Sequence, residues 1–156
     1  MNRTIRNGLA GLALAAGLGG GALLLTGNAS SGQIPMVVYK HPSCGCCTKW
    51  AEYLDGQGFA TEVRAVQDLP RIKQQAGVPE KLASCHTAEV GGYFIEGHVP
   101  AADIKRLLKE KPDIAGLTAP GMPVGSPGME VPGRKPDHYK VYAVDRQGRA
   151  HLFASH

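Results

Sequence analysis

The alternation of apolar and polar positions divides the chain into short elements. Met36-Val37-Val38-Tyr39-Lys40 is apolar and β-branched, which predicts a buried strand. His41-Pro42-Ser43 breaks it. From Cys46 to Leu54 the period becomes helical, with Cys47, Trp50, Ala51 and Leu54 on one face and Gly56 and Gly58 as the stop. Residues 59–66 alternate and predict a second strand. Asp68 as N-cap and Pro70 in the first turn open a short helix that stops at Gly77-Val78-Pro79. Residues 83–90 and 93–96 flank Gly91-Gly92 and predict a β-hairpin. Pro100 starts an amphipathic helix, with Ile104, Leu107 and Leu108 as its apolar stripe and Lys105, Arg106 and Lys109 on the wet face.

From residue 115 to 136 the composition shifts to glycine and proline, which predicts a long loop and excludes a helix or a central strand. A loop of this length without elements of its own is functional or disordered. Residues 139–144 and 149–153 flank Asp145-Arg146-Gln147-Gly148 and predict a closing hairpin. The order is β-α-β-α-β-β-α followed by a loop and a hairpin. The leading β-α-β unit requires a parallel strand pair, and the hairpin adds antiparallel strands. The expected fold class is therefore α/β: a thioredoxin-like mixed sheet flanked by helices, with a C-terminal Gly/Pro/Met loop and β-hairpin.

Arg3 and Arg6 precede an apolar run of 18 residues from Gly8 to Leu25, followed by Thr26-Gly27-Asn28-Ala29-Ser30. Basic, apolar and small-residue regions in that order predict a signal peptide over residues 1–29, cleaved after Ala29, and a metal-binding domain over residues 30–156. An uncleaved membrane anchor is the alternative. The run sits at the lower edge of a spanning length, and its six glycines weaken it as a membrane helix. Loss of Arg3 and Arg6 lowers the formal net charge from +4 to +2. That balance, with no basic stripe interleaved with aromatics, excludes a nucleic-acid partner. Export implies the periplasm, with no membrane association once the signal is removed.

Three of the four cysteines lie within Cys44-Gly45-Cys46-Cys47, between the first strand and the first helix. A disulfide scaffold spreads its cysteines to close long loops, whereas this chain concentrates them. Four cysteines allow three complete pairings, one of them a strained bond between adjacent Cys46 and Cys47. A helix N-terminus offers unpaired N–H groups and a positive dipole end, and both favour thiolate. Lys40 and His41 just upstream add positive charge. Cys44 and Cys47 have the spacing of dithiol enzymes and of metal knuckles. The third thiol, Cys46, invites wrong pairing in a dithiol enzyme but gives a metal site a bridging sulfur. Thiolate-rich sites select Cu(I), zinc or iron–sulfur centres, and an oxidising compartment disfavours the last.

Cys85 is the expected fourth member, because the start of the third strand faces the turn in this layout. Its alternative role is a small buried hydrophobe. No proline immediately precedes this strand, where thiol–disulfide enzymes of this layout carry one; this favours metal binding. His86 is a candidate ligand, or a histidine that orients a thiolate. Met122 and Met129 are soft thioether candidates in the Gly/Pro loop, or anchors tucked over the core. His41 and His98 rank behind them. His138, His151 and His156 are read as surface residues, and Trp50 as packing behind the cysteine turn.

His41-Pro42-Ser43-Cys44-Gly45-Cys46-Cys47, Ser84-Cys85-His86-Thr87-Ala88, Glu96-Gly97-His98-Val99-Pro100 and the segment from Pro120 through Met122 and Met129 to Glu130 together resemble the CopG-like proteins. These are small exported bacterial proteins tied to copper resistance. The resemblance runs from about Met36 to His151. It implies a thioredoxin-like fold and copper held by Cys44, Cys46, Cys47 and Cys85 as a thiolate-bridged multinuclear Cu(I) site. It also implies Cu(I)/Cu(II) interconversion in periplasmic detoxification, with periplasmic copper-handling proteins as partners; His86, Met122 and Met129 follow as second-tier ligands. Two other readings stand beside it: a thiol–disulfide oxidoreductase using Cys44 and Cys47, and a structural zinc module with four cysteine ligands.

Overall fold

The computed structural model describes residues 32–156. The signal-peptide expectation for residues 1–29 lies outside the described residues. Seven strands form one sheet in the order β2-β1-β3-β4-β5-β6-β7. They are β1 Ile34–Lys40, β2 Phe59–Ala65, β3 His86–Val90, β4 Tyr93–Glu96, β5 Gly116–Thr118, β6 Lys140–Val144 and β7 Ala150–Ser155. The helices are α1 Gly45–Asp55, α2 Leu69–Ala76 and α3 Ala101–Glu110, with a single 3-10 turn at Glu80–Leu82. β1 pairs with β2 in parallel, as the leading β-α-β unit requires. β4 pairs with β5 in parallel across α3. The β1–β3, β3–β4, β5–β6 and β6–β7 pairs are antiparallel. The mixed thioredoxin-like sheet flanked by three helices agrees with the expected fold class.

The helix boundaries follow local chemistry. The Asp68 side chain accepts from the Arg71 N–H at 3.2 Å, Pro70 sits in the first turn, and Gly77 closes α2 in the left-handed region at φ 77°. On α1 the face Cys47, Trp50, Ala51 and Leu54 is buried, as its period predicts. The main core joins Trp50 and Leu54 of α1 and Ile104 and Leu107 of α3 to Val38, Ala88, Ile95, Leu117 and Val141 of the sheet. Full burial of a Trp or Leu side chain is worth about 1.5–3 kcal/mol or more each, so this core anchors the N-terminal turn of α1. The other sheet face carries a smaller cluster of Val78, Phe94 and Val144. Adjacent Phe94 and Ile95 enter different clusters, as the two-residue pleat dictates.

One expectation is corrected. Gly116-Leu117-Thr118, inside the segment read as excluding a central strand, forms β5 between β4 and β6. The first proline of that segment after β5 is Pro120, so nothing in these three residues blocks the ladder, and all three are buried. A Cβ at Gly116 would lie 2.2 Å from the Phe94 carbonyl oxygen, so the strand approaches β4 as only glycine permits. The rest of the Gly/Pro segment is ordered by its own bonds. Gly125 donates to the Met129 carbonyl at 2.9 Å, Met129 to Ser126 at 2.8 Å, and Asp137 to Val124 at 2.9 Å. No helix among the described residues is long and apolar enough to cross a membrane.

Candidate metal centre

The cysteine turn leaves β1 through His41-Pro42-Ser43, with the Cys44 N–H donating to the His41 carbonyl at 2.9 Å. Lys40 is buried, and its ammonium donates to the carbonyls of His41 and Pro42 at 3.2 and 3.3 Å. The lysine therefore staples the turn as well as placing positive charge beside it. Cys44 is the N-cap of α1, and Cys46 and Cys47 lie in its first turn, where backbone N–H groups are unpaired. Cys47 is fully buried, while Cys44 and Cys46 are half-buried.

Cys85 enters from the residue preceding β3. β3 runs antiparallel to β1 with Lys40 opposite His86, which brings Cys85 to the cysteine turn. One ligand atom from each of Cys44, Cys46, Cys47 and Cys85 lies within 4.8 Å of the others. The sulfurs of Cys44 and Cys46 are 3.6 Å apart, and Cys47 Sγ lies 3.7 Å from the Cys85 carbonyl oxygen. Cys44 and Cys47 are joined as a disulfide, and Cys46 and Cys85 are free thiols. The sequence left the pairing open; the structure takes the one that joins the two ends of the C-x-x-C spacing.

Two histidines complete the pocket. His86 is fully buried, with Nδ1 3.4 Å from Cys85 Sγ and its ring centroid 4.3 Å from that of Trp50. Its Nε2 has no partner. His98 is also buried, with Nε2 3.1 Å from Cys85 Sγ. Its Nδ1 donates to the Pro127 carbonyl at 2.8 Å, which leaves the Nε2 lone pair facing the thiol. Burial pushes both imidazoles below their ordinary pKa, His86 well below it with help from His98 and Lys73. Both rings are therefore neutral near pH 7 and carry free lone pairs. Burial, followed by the neighbouring Cys46, pushes the Cys85 thiol up to about 11. A bound metal would have to displace that proton.

Trp50 packs behind the turn as expected, its indole N–H donating to the Val99 carbonyl at 3.0 Å. The Gly/Pro loop lies over the first turn of α1. A Cβ at Gly128 would sit 2.8 Å from the Trp50 nitrogen and 3.0 Å from the Cys46 carbonyl oxygen, and this glycine has φ +81°. Met129 follows it and is half-buried, whereas Met122 is 55 % exposed and lines a groove with Leu82, Pro123 and Tyr139. His41 is exposed and bonds Ser43 Oγ at 2.7 Å, a local turn contact.

His98 is the residue the sequence reading ranked too low. The signal was present in the hairpin register: Thr87 pairs with Glu96, so a residue just after β4 falls beside the residues that open β3. The left-handed Gly97, φ 73°, turns the chain back toward Cys85. Any Cβ there would strike Ser84 and the Ala119 carbonyl within 2.6 Å.

The fold and this pocket define a thioredoxin-like protein with a thiol-rich metal centre at the strand-to-helix turn. A family profile described as "Protein of unknown function, DUF411" matches residues 82–129, the span holding Cys85, His86, His98 and both loop methionines. Two solved structures, "Copper resistance protein copG- Form 1" and "Form 2", are each 42% identical to this chain and cover 80% of it and 98% of their own length, with TM-scores of 0.75 and 0.76. The chain belongs to this CopG copper-resistance family. No curated protein matches it at a significant level. The family membership and the cysteine cluster together support copper binding.

Proposed function

We propose that this chain is an exported periplasmic protein, freed from residues 1–29, that binds several Cu(I) ions and acts in copper resistance. Cys44, Cys46, Cys47 and Cys85 are the ligands, and copper is cargo or substrate rather than a structural cofactor. The observation that carries this reading is the convergence of four cysteine ligand atoms within 4.8 Å of one another. Such a soft donor set favours Cu(I). Adjacent Cys46 and Cys47 are badly placed to chelate a single ion, so shared sulfurs bridge several. Loading all four sulfurs requires the Cys44–Cys47 disulfide to be reduced, with two electrons and two protons supplied by a thiol donor such as two equivalents of a small thiol. Cu(I)/Cu(II) interconversion at this site is the activity proposed for detoxification, with periplasmic copper-handling proteins delivering or accepting the ion.

Copper X-ray absorption of the reduced, copper-loaded chain tests the bridging. The expected spectrum shows a sulfur shell and a short copper–copper vector that Cys46→Ser weakens. Isolated copper with no metal–metal vector, and unchanged stoichiometry in Cys46→Ser, would contradict it. A second reading has one observation in its favour: the Cys44–Cys47 disulfide lies at a helix N-terminus, as a dithiol oxidoreductase needs. It predicts reduction of an insulin-like disulfide substrate and a trapped mixed disulfide in Cys47→Ser. Absence of both removes it.

A further inference from the structure

We propose that the outer edge of β2 pairs with the same edge of a second copy of this chain, antiparallel and centred on Val63. The inference stands apart from the copper reading and uses no part of the cysteine turn. β2 and β7 form the two ends of the sheet. Glu62, Val63, Arg64 and Ala65 of β2 are all exposed, and Val63 leaves 44 % of its surface open. An edge with open backbone groups is a template for a further strand.

The two ends of the sheet differ in how they are guarded. On β7 the register shifts between Val141 and Tyr142, and Arg106 reaches over from α3. Its guanidinium lies 3.7 Å from the centre of the Phe153 ring and donates to the Phe153 carbonyl at 2.8 Å. A bulge and a covering cation are devices that block edge pairing. β2 instead keeps an unbroken register with β1, from Ile34 opposite Phe59 to Lys40 opposite Ala65. Its outer edge is capped at the start, where Gln33 donates to the Phe59 carbonyl at 3.2 Å and the Thr61 N–H donates to the Asp55 carboxylate at 2.9 Å. Beyond Thr61, no side chain among the described residues bonds the backbone of residues 62–65.

The direction of the backbone groups follows from the bonds on either side. The Val66 N–H donates to the Lys40 carbonyl at 2.9 Å, toward β1, and the Thr61 N–H points the other way. Alternate residues of a strand direct their N–H and C=O groups to the same side, so Thr61, Val63 and Ala65 face outward. In an antiparallel pair about Val63, the two Val63 residues exchange both backbone hydrogen bonds. Each Ala65 N–H then meets the Thr61 carbonyl of the other copy. The Thr61 N–H stays on Asp55, which confines the pairing to this short run.

The edge is complementary to itself. Pairing about residue 63 sets Glu62 opposite Arg64 of the second copy and Arg64 opposite its Glu62. Within one chain the Arg64 guanidinium uses Nε for Glu62 at 2.7 Å and one terminal nitrogen for the Tyr39 hydroxyl at 3.4 Å. The other terminal nitrogen remains for a carboxylate across the edge. The exposed Val63 side chains meet on the opposite sheet face, as the pleat dictates. Opposite-charge and β-branched cross-strand pairs both stabilise antiparallel strands, and like charges directly opposite do the reverse. Centring on residue 62 or 64 instead would oppose two glutamates or two arginines, so the charges select the register. β1 and β2 are parallel, and the cysteine turn follows the end of β1. The antiparallel pair therefore places the two cysteine turns at opposite ends of one continuous sheet.

The test is sedimentation of the exported chain over a concentration series reaching the millimolar range. A monomer–dimer equilibrium that weakens with added salt is expected. Glu62→Arg and Arg64→Glu each turn two favourable cross-strand pairs into two like-charge pairs, and each should weaken association by about tenfold or more. Mixed in equal amounts, the two variants should recover the dimer as a heterodimer, because each then faces its opposite charge. Both positions are exposed, so both variants should keep the fold. Val63→Pro deletes the central donor without breaking a bond inside the chain, and should abolish the dimer while circular dichroism stays unchanged. A monomer at every concentration overturns the proposal, even one that captures an added extended peptide along β2. So does a dimer indifferent to both charge reversals, or a folded pair of variants that do not recover association on mixing.

Discussion

The two faces of the β3–β4 hairpin each bury a polar cluster, and the clusters differ in how completely their atoms are partnered. On the α2 face, Glu96 is fully buried. Its carboxylate accepts from the Lys73 ammonium, from the Ser84 N–H at 2.5 Å and from the Thr87 hydroxyl at 2.7 Å. Lys73 also donates to Thr87 Oγ1 at 3.1 Å. Every charge there meets its opposite. On the α1 face, His86 and His98 surround Cys85 with one nitrogen unpartnered and a protonated thiol in the middle. A closed network holds structure, and an open one holds a ligand. The two meet at consecutive residues, since Ser84 belongs to the first and Cys85 to the second. The Ser84 hydroxyl also donates to the Gly121 carbonyl, tying the Glu96 network to the loop that carries Pro127.

Four substitutions sharpen this contrast, in descending order of effect on stability. Glu96→Ala strands a nearly buried ammonium and the Ser84 N–H, so it should cost about 3–5 kcal/mol in urea unfolding. A loss below about 1 kcal/mol would show that the network contributes little to the fold. Gly128→Ala combines a left-handed backbone with a clash against α1. It should cost about 1–3 kcal/mol and also weaken copper binding, because the loop must lift from the first turn. Unchanged copper affinity in a chelator competition would detach the loop from the site. Asp68→Ala removes the α2 cap for about 1 kcal/mol and should leave metal binding untouched. Cys85→Ser should change apo-protein stability by less than about 1 kcal/mol while removing copper; retained copper would place the site elsewhere.

Local patterns carried much of the sequence reading. The apolar face of α1, the Asp68 cap and the Gly91-Gly92 hairpin each depend on neighbours within a few residues, so periodicity and turn chemistry found them. β5 was missed because three residues have no period, and its strand state comes from β4 and β6 on either side. The four cysteines were legible as one cluster because the β-α-β layout puts the start of β3 opposite the turn. His98 was underrated because its place depends on hairpin register and on a loop contact 29 residues away. The Cys44–Cys47 bond was one of several pairings that the sequence allowed, and thiol oxidation is a chemical state that residue order does not encode.

The most direct test of the central claim is an anaerobic Cu(I) titration of the fully reduced chain against a chromophoric chelator, with metal analysis of the product. The account predicts several coppers bound tightly per chain, lost in Cys85→Ser and withheld from the disulfide form until a thiol reductant is added. One copper or none on the reduced chain, or equal loading of the reduced and disulfide forms, would contradict it.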